Sequence, residues 1–259
     1  AFLINAQLEG RYFDDYSTGV FGIEGKDGTH RDAEDGQLEK NPIEHGQADS
    51  VIGLSGLFTA GETKIVYYWV AVGKSIAAVG TLNELVTARG AGHMIETTKN
   101  FWQAWVNRRN FSFYGLDQSI GNLFNQSLLF VRAHVDHTGG IIASGDSNVL
   151  QKGKDTYAYV WPRDAAYAAL ALNASGDNQV ARGFFGFCNE VISEEGYFNH
   201  KYSPDRSLGS SWHPWWHHGE LRLPIQEDET ALVIWSLWHY YEWSKDLEFI
   251  ELVYNSLIK

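Results

Sequence analysis

The densest run of aromatic and charged residues lies at positions 157–164, with the sequence Tyr157-Ala158-Tyr159-Val160-Trp161-Pro162-Arg163-Asp164. Proline lacks a backbone N–H and disfavours helix at the residue before it, so Pro162 is typical of the first position of a helix. We therefore predict a helix that begins there, with Arg163 and Asp164 in its first turn. Such a pair can hold sugar hydroxyls, the guanidinium donating and the carboxylate accepting. The simpler alternative is an ordinary ion pair in which Asp164 stabilises the helix N-terminus.

A second motif precedes another predicted helix and reads Leu223-Pro224-Ile225-Gln226-Glu227-Asp228-Glu229-Thr230-Ala231-Leu232. Acidic residues stabilise a helix N-terminus and commonly face water. In the functional alternative, one of these carboxylates points into a cleft and binds a hydroxyl group.

Apolar residues at helical spacing dominate the second half of the chain. The predicted helices are Asp117–Val135, Arg163–Asn173, Asn178–Ile192, Asp228–Trp243 and Asp246–Ile258. Two long connections, Asp136–Pro162 and Ser193–Gln226, separate them. Connections of this length inside a compact domain are often functional, and we place the site on them.

The first 80 residues favour β structure because short apolar stretches alternate with turn residues. The predicted strands are Ala1–Leu8, Val20–Ile23, Val51–Phe58 and Lys64–Val72, with a long polar loop at Thr29–Gly46. Beyond them we predict a helix capped by Thr81, with Glu84 completing a capping box, and a further helix over Thr97–Arg109.

The charge and the amino-acid composition argue against several classes of function. The 259 residues carry a net charge of −12, which argues against binding to nucleic acid or to an anionic membrane surface. No apolar run reaches the roughly 20 residues of a membrane span. The single Cys188 excludes an internal disulfide framework and a cysteine-based zinc site. Aromatic residues make up 14% of the chain, and Trp beside His, Asp and Arg favours a carbohydrate-binding cleft.

Other chemistries fit less well. His213 and His217 have the spacing of metal ligands on a helix, but Pro214 argues against a helix there, so no metal site is predicted. His134 and His137 flank Asp136 and would allow a His–Asp pair, yet the chain lacks the Gly-x-Ser-x-Gly motif of a serine hydrolase. Neither a phosphate-binding loop nor a dinucleotide fingerprint occurs.

Together, residues 157–164, the loop Ser211–Trp216 and residues 223–232 resemble the prokaryotic branch of glycoside hydrolase family 15, which contains glucoamylases, glucodextranases and some trehalases. The resemblance implies an α+β multidomain fold. On that basis, residues 1–80 are the C-terminal part of an N-terminal β-sandwich. Residues 81–115 form a helical linker, and residues 116–259 form the first half of an incomplete (α/α)6 barrel.

The same resemblance implies roles for individual residues in a site for an α-linked glucose oligosaccharide or polysaccharide. Trp161, Arg163 and Asp164 would hold the non-reducing glucose, and Tyr157 would line the same subsite. Asp228 would lie near the wall on the side of the catalytic acid, and Trp212 and Trp215 would border the entrance. The resemblance calls for no cofactor and leaves room for a structural calcium ion.

The activity implied is that of an inverting, exo-acting α-glucosidase of the glucoamylase type. Inversion uses two carboxylic acids about 6.5–9.5 Å apart, one as general acid and one as general base. The motifs that carry this pair are absent from residues 1–259, so we expect them after Lys259 and expect this chain alone to be inactive. A trehalase of the same family and a non-catalytic sugar-binding protein remain alternatives, and the cellular compartment stays open.

Overall fold

The fold was obtained as a computed structural model that describes residues 1–20, 29–45, 48–145, 157–210, 216–221 and 225–258, without the side chains of residues 30, 32, 216, 217 and 221. The chain divides into two compact units, Ala1–Ala104 and Trp105–Lys259. None of the helices that the structure describes is both long and apolar enough to span a bilayer.

The first unit contains two small antiparallel sheets among its described residues. One has the strand order β2 (Arg11–Tyr12), β1 (Phe2–Leu8), β5 (Val66–Val72), and the other pairs β3 (Asp15–Val20) with β4 (Ala48–Gly53). The register of β1 and β5 runs from Phe2 opposite Val72 to Leu8 opposite Val66. Because side chains alternate across a strand, Phe2, Ile4, Ala6 and Leu8 share one apolar face.

The opposite face of β1 and β5 packs against helix α2 (Ile76–Arg89). Asn83 on this helix accepts hydrogen bonds from Asn5 Nδ2 on β1 and Trp69 Nε1 on β5, both at 3.0 Å. Asn5 and Trp69 are direct partners in the strand register. One helical side chain therefore ties the two strands to the helix.

Several predicted boundaries in this unit were wrong. Helix α2 begins at a cap on Ser75, whose hydroxyl accepts from Ala78 N at 3.1 Å, so Thr81 lies inside the helix. Helix α3 (Ala91–Asn107) begins directly after Gly90 instead of at Thr97. The predicted loop Thr29–Gly46 contains a short helix α1 (Thr29–Asp32), where Thr29 N donates to the carboxylate of Asp49.

The predicted strands compare more closely with the structure. β1 and β5 confirm Ala1–Leu8 and Lys64–Val72, whereas β4 begins earlier and ends earlier than the predicted Val51–Phe58. The predicted strand Val20–Ile23 lies outside the described residues after Val20.

The second unit is mainly helical. The described helices are α4 (Gln118–Ala133), α5 (Pro162–Ala174), α6 (Asn178–Val191), α7 (Glu229–Ser244) and α8 (Leu247–Val253), with a π-helical turn at Tyr254–Ile258 and a short hairpin of β6 (Trp216–His217) and β7 (Glu220–Leu221). These helices confirm the five predicted segments to within a few residues. The predicted mixture of strands followed by helices is therefore confirmed, whereas the β-sandwich, the (α/α)6 barrel and the three domain ranges stay predictions.

Helices α5 and α7 pack side by side and run in the same direction. Ser236 Oγ donates to Ala166 O at 2.9 Å near the middle of α7, and Asn173 Nδ2 donates to His239 O at 3.2 Å further along both helices. Because early residues meet early ones and late residues meet late ones, the two N-termini lie at the same end. Their approach depends on small side chains of α5, since Ala165, Ala166 and Ala169 are almost fully buried.

The core of this unit lies among α5, α6, α7 and α8. Its fully buried members include Phe184, Phe185, Leu172, Val233 and Val253. Each large apolar side chain contributes about 1.5–3 kcal/mol on transfer from water, so this cluster fixes the relative positions of the helices.

The turn that follows α4 approaches α6 closely at a glycine. A Cβ atom on Gly139 would lie 2.1 Å from the carbonyl oxygen of Gly183, and Gly139 has a φ of +94°. We expect Gly139→Ala to lower the free energy of unfolding by roughly 3 kcal/mol because the added methyl group collides with helix backbone and strains the turn.

Gly186→Ala, on the same helix as Gly183, is the matched control because a Cβ atom on Gly186 would meet no neighbouring atom within 4 Å. It should stabilise the helix by about 0.5–1 kcal/mol. Urea unfolding measures both values, and equal stability of the two variants would contradict the close approach of turn and helix.

Candidate functional site

An extended segment and a hairpin form the base of the site. Val160 and Tyr202 exchange two backbone hydrogen bonds, of 2.8 Å and 2.9 Å, which join the segment before α5 to the hairpin at residues 200–209. On the other side, Ala143 N donates to Tyr159 O at 3.0 Å. Residues from both long connections predicted in the sequence therefore meet at the N-terminus of α5.

These segments enclose a cavity of about 280 Å³, lined by Ala143, Tyr157, Trp161, Arg163, Asp164, His200 and Gln226. Four of the residues singled out in the sequence, Tyr157, Trp161, Arg163 and Asp164, thus lie around one cavity. Pro162 opens α5 as predicted, with the backbone of Trp161 as its N-cap. Sequence reasoning missed two lining residues: His200 belongs to no motif, and Gln226 lies in the second motif but was given no role there.

Aromatic rings form one wall of this cavity. Trp161 is only 6% exposed and packs against Tyr157, Tyr159 and His200, with ring centroids 5.6, 5.9 and 6.4 Å away. Tyr157 is 40% exposed and so offers the larger open ring surface. Trp161 acts mainly as a fixed wall, and Tyr157 is the aromatic side chain better placed to touch a ligand.

Arg163 joins the two motifs found in the sequence. Its Nη1 atom donates to both carboxylate oxygens of Asp228, each at 3.3 Å, and its Nε atom lies 3.9 Å from Asp164 Oδ2. Half or more of each carboxylate side chain is exposed, and about a third of Arg163 is. The parallel packing of α5 and α7 thus places one guanidinium between two accessible carboxylates, with donors and acceptors side by side.

A third carboxyl group, that of Glu229, lies in the first turn of α7 and is completely buried. Neither of its oxygens has a hydrogen-bond partner among the described residues. Burial raises the pKa of Glu229 to about 8, Asp228 and Asp164 add to that rise, and Arg163 opposes it. The sequence placed Glu229 within an acidic motif but gave no sign that this carboxyl, unlike that of Asp228, faces the interior.

Other predicted features have different outcomes. Trp212 and Trp215, with His213, lie outside the described residues. Asp136 and His137 form an exposed pair at 3.2 Å, away from the residues that line the cavity. The described part of the chain holds no group of three or more His, Cys, Asp or Glu side chains placed to bind a metal ion.

The sequence is similar to a known family and to a curated protein. The sequence profile of the glycosyl hydrolases family 15 matches residues 121–256, more than half of the chain. An uncharacterized glycosyl hydrolase of Methanocaldococcus jannaschii is 26% identical over 164 residues, which are 62% of this chain and 24% of that protein.

The fold is similar to that of a solved structure. A bacterial glucoamylase, crystallised in complex with acarbose, matches with a TM-score of 0.62 and 15% identity, over 98% of this chain and 35% of that chain. This match shows a glucoamylase-like fold. The chain therefore spans about a quarter of one relative and about a third of the other.

The buried carboxyl of Glu229 makes stability depend on pH. Its folded pKa of about 8 lies above the ordinary 4.5, so the folded chain keeps a proton that the unfolded chain releases between these pH values. We expect this contribution to be fully present below pH 4.5 and lost as pH rises through 8. Glu229→Gln should therefore gain a few kcal/mol over the parent between pH 5 and 9, at roughly 1.4 kcal/mol per pKa unit.

Urea unfolding at pH 5, 7 and 9 measures this difference. Glu227→Gln, which removes an exposed carboxyl from the same motif, is the control and should follow the parent. A Glu229→Gln curve parallel to that of the parent at all three pH values would show that Glu229 has an ordinary pKa.

Proposed function

Because this chain belongs to glycosyl hydrolase family 15, we propose that it supplies sugar-binding residues of an inverting, exo-acting α-glucosidase. The substrate would be an α-linked glucose oligosaccharide or polysaccharide, from which glucose is released at the non-reducing end. The observation that carries this proposal is Arg163, held between Asp164 and Asp228 at the aromatic-walled cavity.

Arg163 is suited to grip adjacent hydroxyls. Guanidinium is a planar fork with five N–H donors, and the contact with Asp228 occupies only Nη1. The remaining donors can bind sugar oxygens while the exposed carboxylate of Asp164 accepts from a neighbouring hydroxyl. Hydrogen bonds to charged groups are stronger than neutral ones, so each sugar hydroxyl that contacts this pair gains a strong hydrogen bond.

The aromatic wall gives the cavity a shape that suits a sugar ring. The rings of Tyr157 and Trp161 are tilted by 32° to each other, with their centroids 5.6 Å apart. A flat apolar wall beside a charged cluster fits a pyranose, which carries C–H groups on its faces and hydroxyls around its edge. The family resemblance also implies that Tyr157 lies near the positive charge that develops on the sugar ring in the transition state.

The catalytic acid and base are proposed to lie outside residues 1–259. The reaction needs one carboxylic acid to protonate the leaving oxygen and another to activate water on the opposite side of the ring. Glu229 has the raised pKa of a proton donor but is completely buried, so it cannot hand a proton directly to a ligand in the cavity. This chain would therefore bind the sugar, and the chemistry would need the longer protein.

The acarbose bound to the structurally similar glucoamylase supports a glucose-type ligand. Neither the cavity residues nor the charges distinguish a glucan from trehalose. Measuring kcat/KM of the longer protein on maltotriose and trehalose decides between these two substrates. Inactivity on both would contradict the proposed reaction.

Arg163→Ala in the longer protein should lower kcat/KM by about 100-fold, since two charged hydrogen bonds to the sugar are worth about 1.5 kcal/mol or more each. Arg163→Lys should recover little, because a point charge cannot replace the planar fork.

The control for this experiment is Arg108→Ala. Arg108 also forms an ion pair, with Asp177 at 2.8 Å, but it does not line the cavity. Its removal should cost stability and leave kcat/KM within about twofold of the parent. If Arg163→Ala kept full activity, or if both variants lost activity equally, Arg163 would not be a sugar ligand.

A further inference from the structure

Lys201 is a buried cation that neither motif contains. Its side chain is 0% exposed, although lysine is among the residues that are almost never buried completely. It follows His200 in the hairpin that pairs with Val160. Burying an ammonium group is costly unless its surroundings compensate the charge, so its contacts call for an explanation.

The ammonium group lies over the ring of Trp161, which lines the cavity, and over the ring of Tyr159, which packs against Trp161. Lys201 Nζ is 4.4 Å from the centroid of Tyr159 and 5.3 Å from the centroid of Trp161. A cation over an aromatic face is attracted by the negative charge of the π-system, and the attraction grows when water is excluded. One charge therefore links two rings that also meet edge to face at 5.9 Å.

The hairpin backbone fixes the position of this charge. Tyr202, the next residue, makes both backbone hydrogen bonds to Val160, and Gly209 N donates to Lys201 O at 2.9 Å. A Cβ atom on Gly209 would lie 2.8 Å from Lys201 Cγ and 3.1 Å from Tyr159 Cδ1. The absence of a side chain at Gly209 thus leaves the space in which the lysine stem packs against Tyr159.

We propose that Lys201 is a positioning residue of the sugar site, whose ammonium group, held over the rings of Tyr159 and Trp161, fixes the orientation of Trp161 in the cavity wall. Lys201 does not line the cavity, so it acts on a sugar only through Trp161. The effect on a sugar rests on the proposed function, whereas the effect on the orientation of Trp161 does not.

The test compares Lys201→Met, which keeps an unbranched side chain one atom shorter and removes the charge, with Lys201→Arg, which keeps a cation. The near-ultraviolet circular dichroism of Trp161, obtained by subtracting the spectrum of Trp161→Phe, reports the ring's surroundings in this chain. Titration calorimetry of the longer protein with acarbose reports binding.

We expect Lys201→Met to alter the Trp161 band and to weaken acarbose binding by about tenfold or more, because small displacements of positioning groups have large effects. Lys201→Arg should restore most of both signals. The control is Arg206→Met on the same hairpin, whose guanidinium contacts Phe187 and Glu190 instead of the wall. It should lower Tm and leave the band and the affinity unchanged.

An unchanged Trp161 band in folded Lys201→Met would overturn the proposal, as would an equal change in Arg206→Met. If Lys201→Met does not fold, Lys201→Arg decides, since loss of the band in a folded Arg variant would also overturn it. If the parent binds no acarbose, the proposed function fails, and the circular dichroism still tests Lys201. If the parent binds acarbose, and Lys201→Met alters the Trp161 band without changing the affinity for acarbose, the role of Lys201 in the sugar site is refuted.

Discussion

The close parallel packing of α5 and α7 is the constraint on which the site depends. The alanines of α5 let α7 approach until Ser236 reaches the backbone of Ala166 at 2.9 Å. This brings both N-termini to one end, where Arg163 of one helix faces Asp228 at the start of the other. A larger side chain at Ala166 would push the helices apart and separate Arg163 from Asp228. The same helix packing therefore builds the core and assembles the charged cluster.

The sequence predicted elements best where the signal was local. A few neighbouring residues determine where three helices begin: Asp117 caps α4, Pro162 opens α5 and Asp246 caps α8. Helix α3 was misplaced because its start depends on a distant contact. A Cβ atom on Gly92 would lie 2.7 Å from the hydroxyl of Tyr67, so this glycine serves close packing inside a helix rather than ending one.

The same division applies to the candidate site. Residue types offered Arg163 and Asp164 as sugar ligands, and the family resemblance added Trp161; the structure places all three around one cavity. Glu229 escaped prediction because it lies beside the exposed Asp228 in one acidic motif, and Lys201 escaped because it belongs to neither motif. Only tertiary packing decides which charge turns inward. Burying these two ionisable groups lowers the stability of the fold. A sugar site can require such buried groups, whereas a simple scaffold does not. We propose that the charged cluster and the aromatic wall together bind a terminal glucose unit.

The most direct test of that proposal is a crystal structure, with acarbose bound, of a protein that contains this chain. We predict that the terminal ring lies in the cavity beside Tyr157 and Trp161, with hydroxyls within hydrogen-bond distance of Arg163 and Asp164. A terminal ring bound elsewhere on the protein, with Arg163 still engaged only by Asp164 and Asp228, would contradict it.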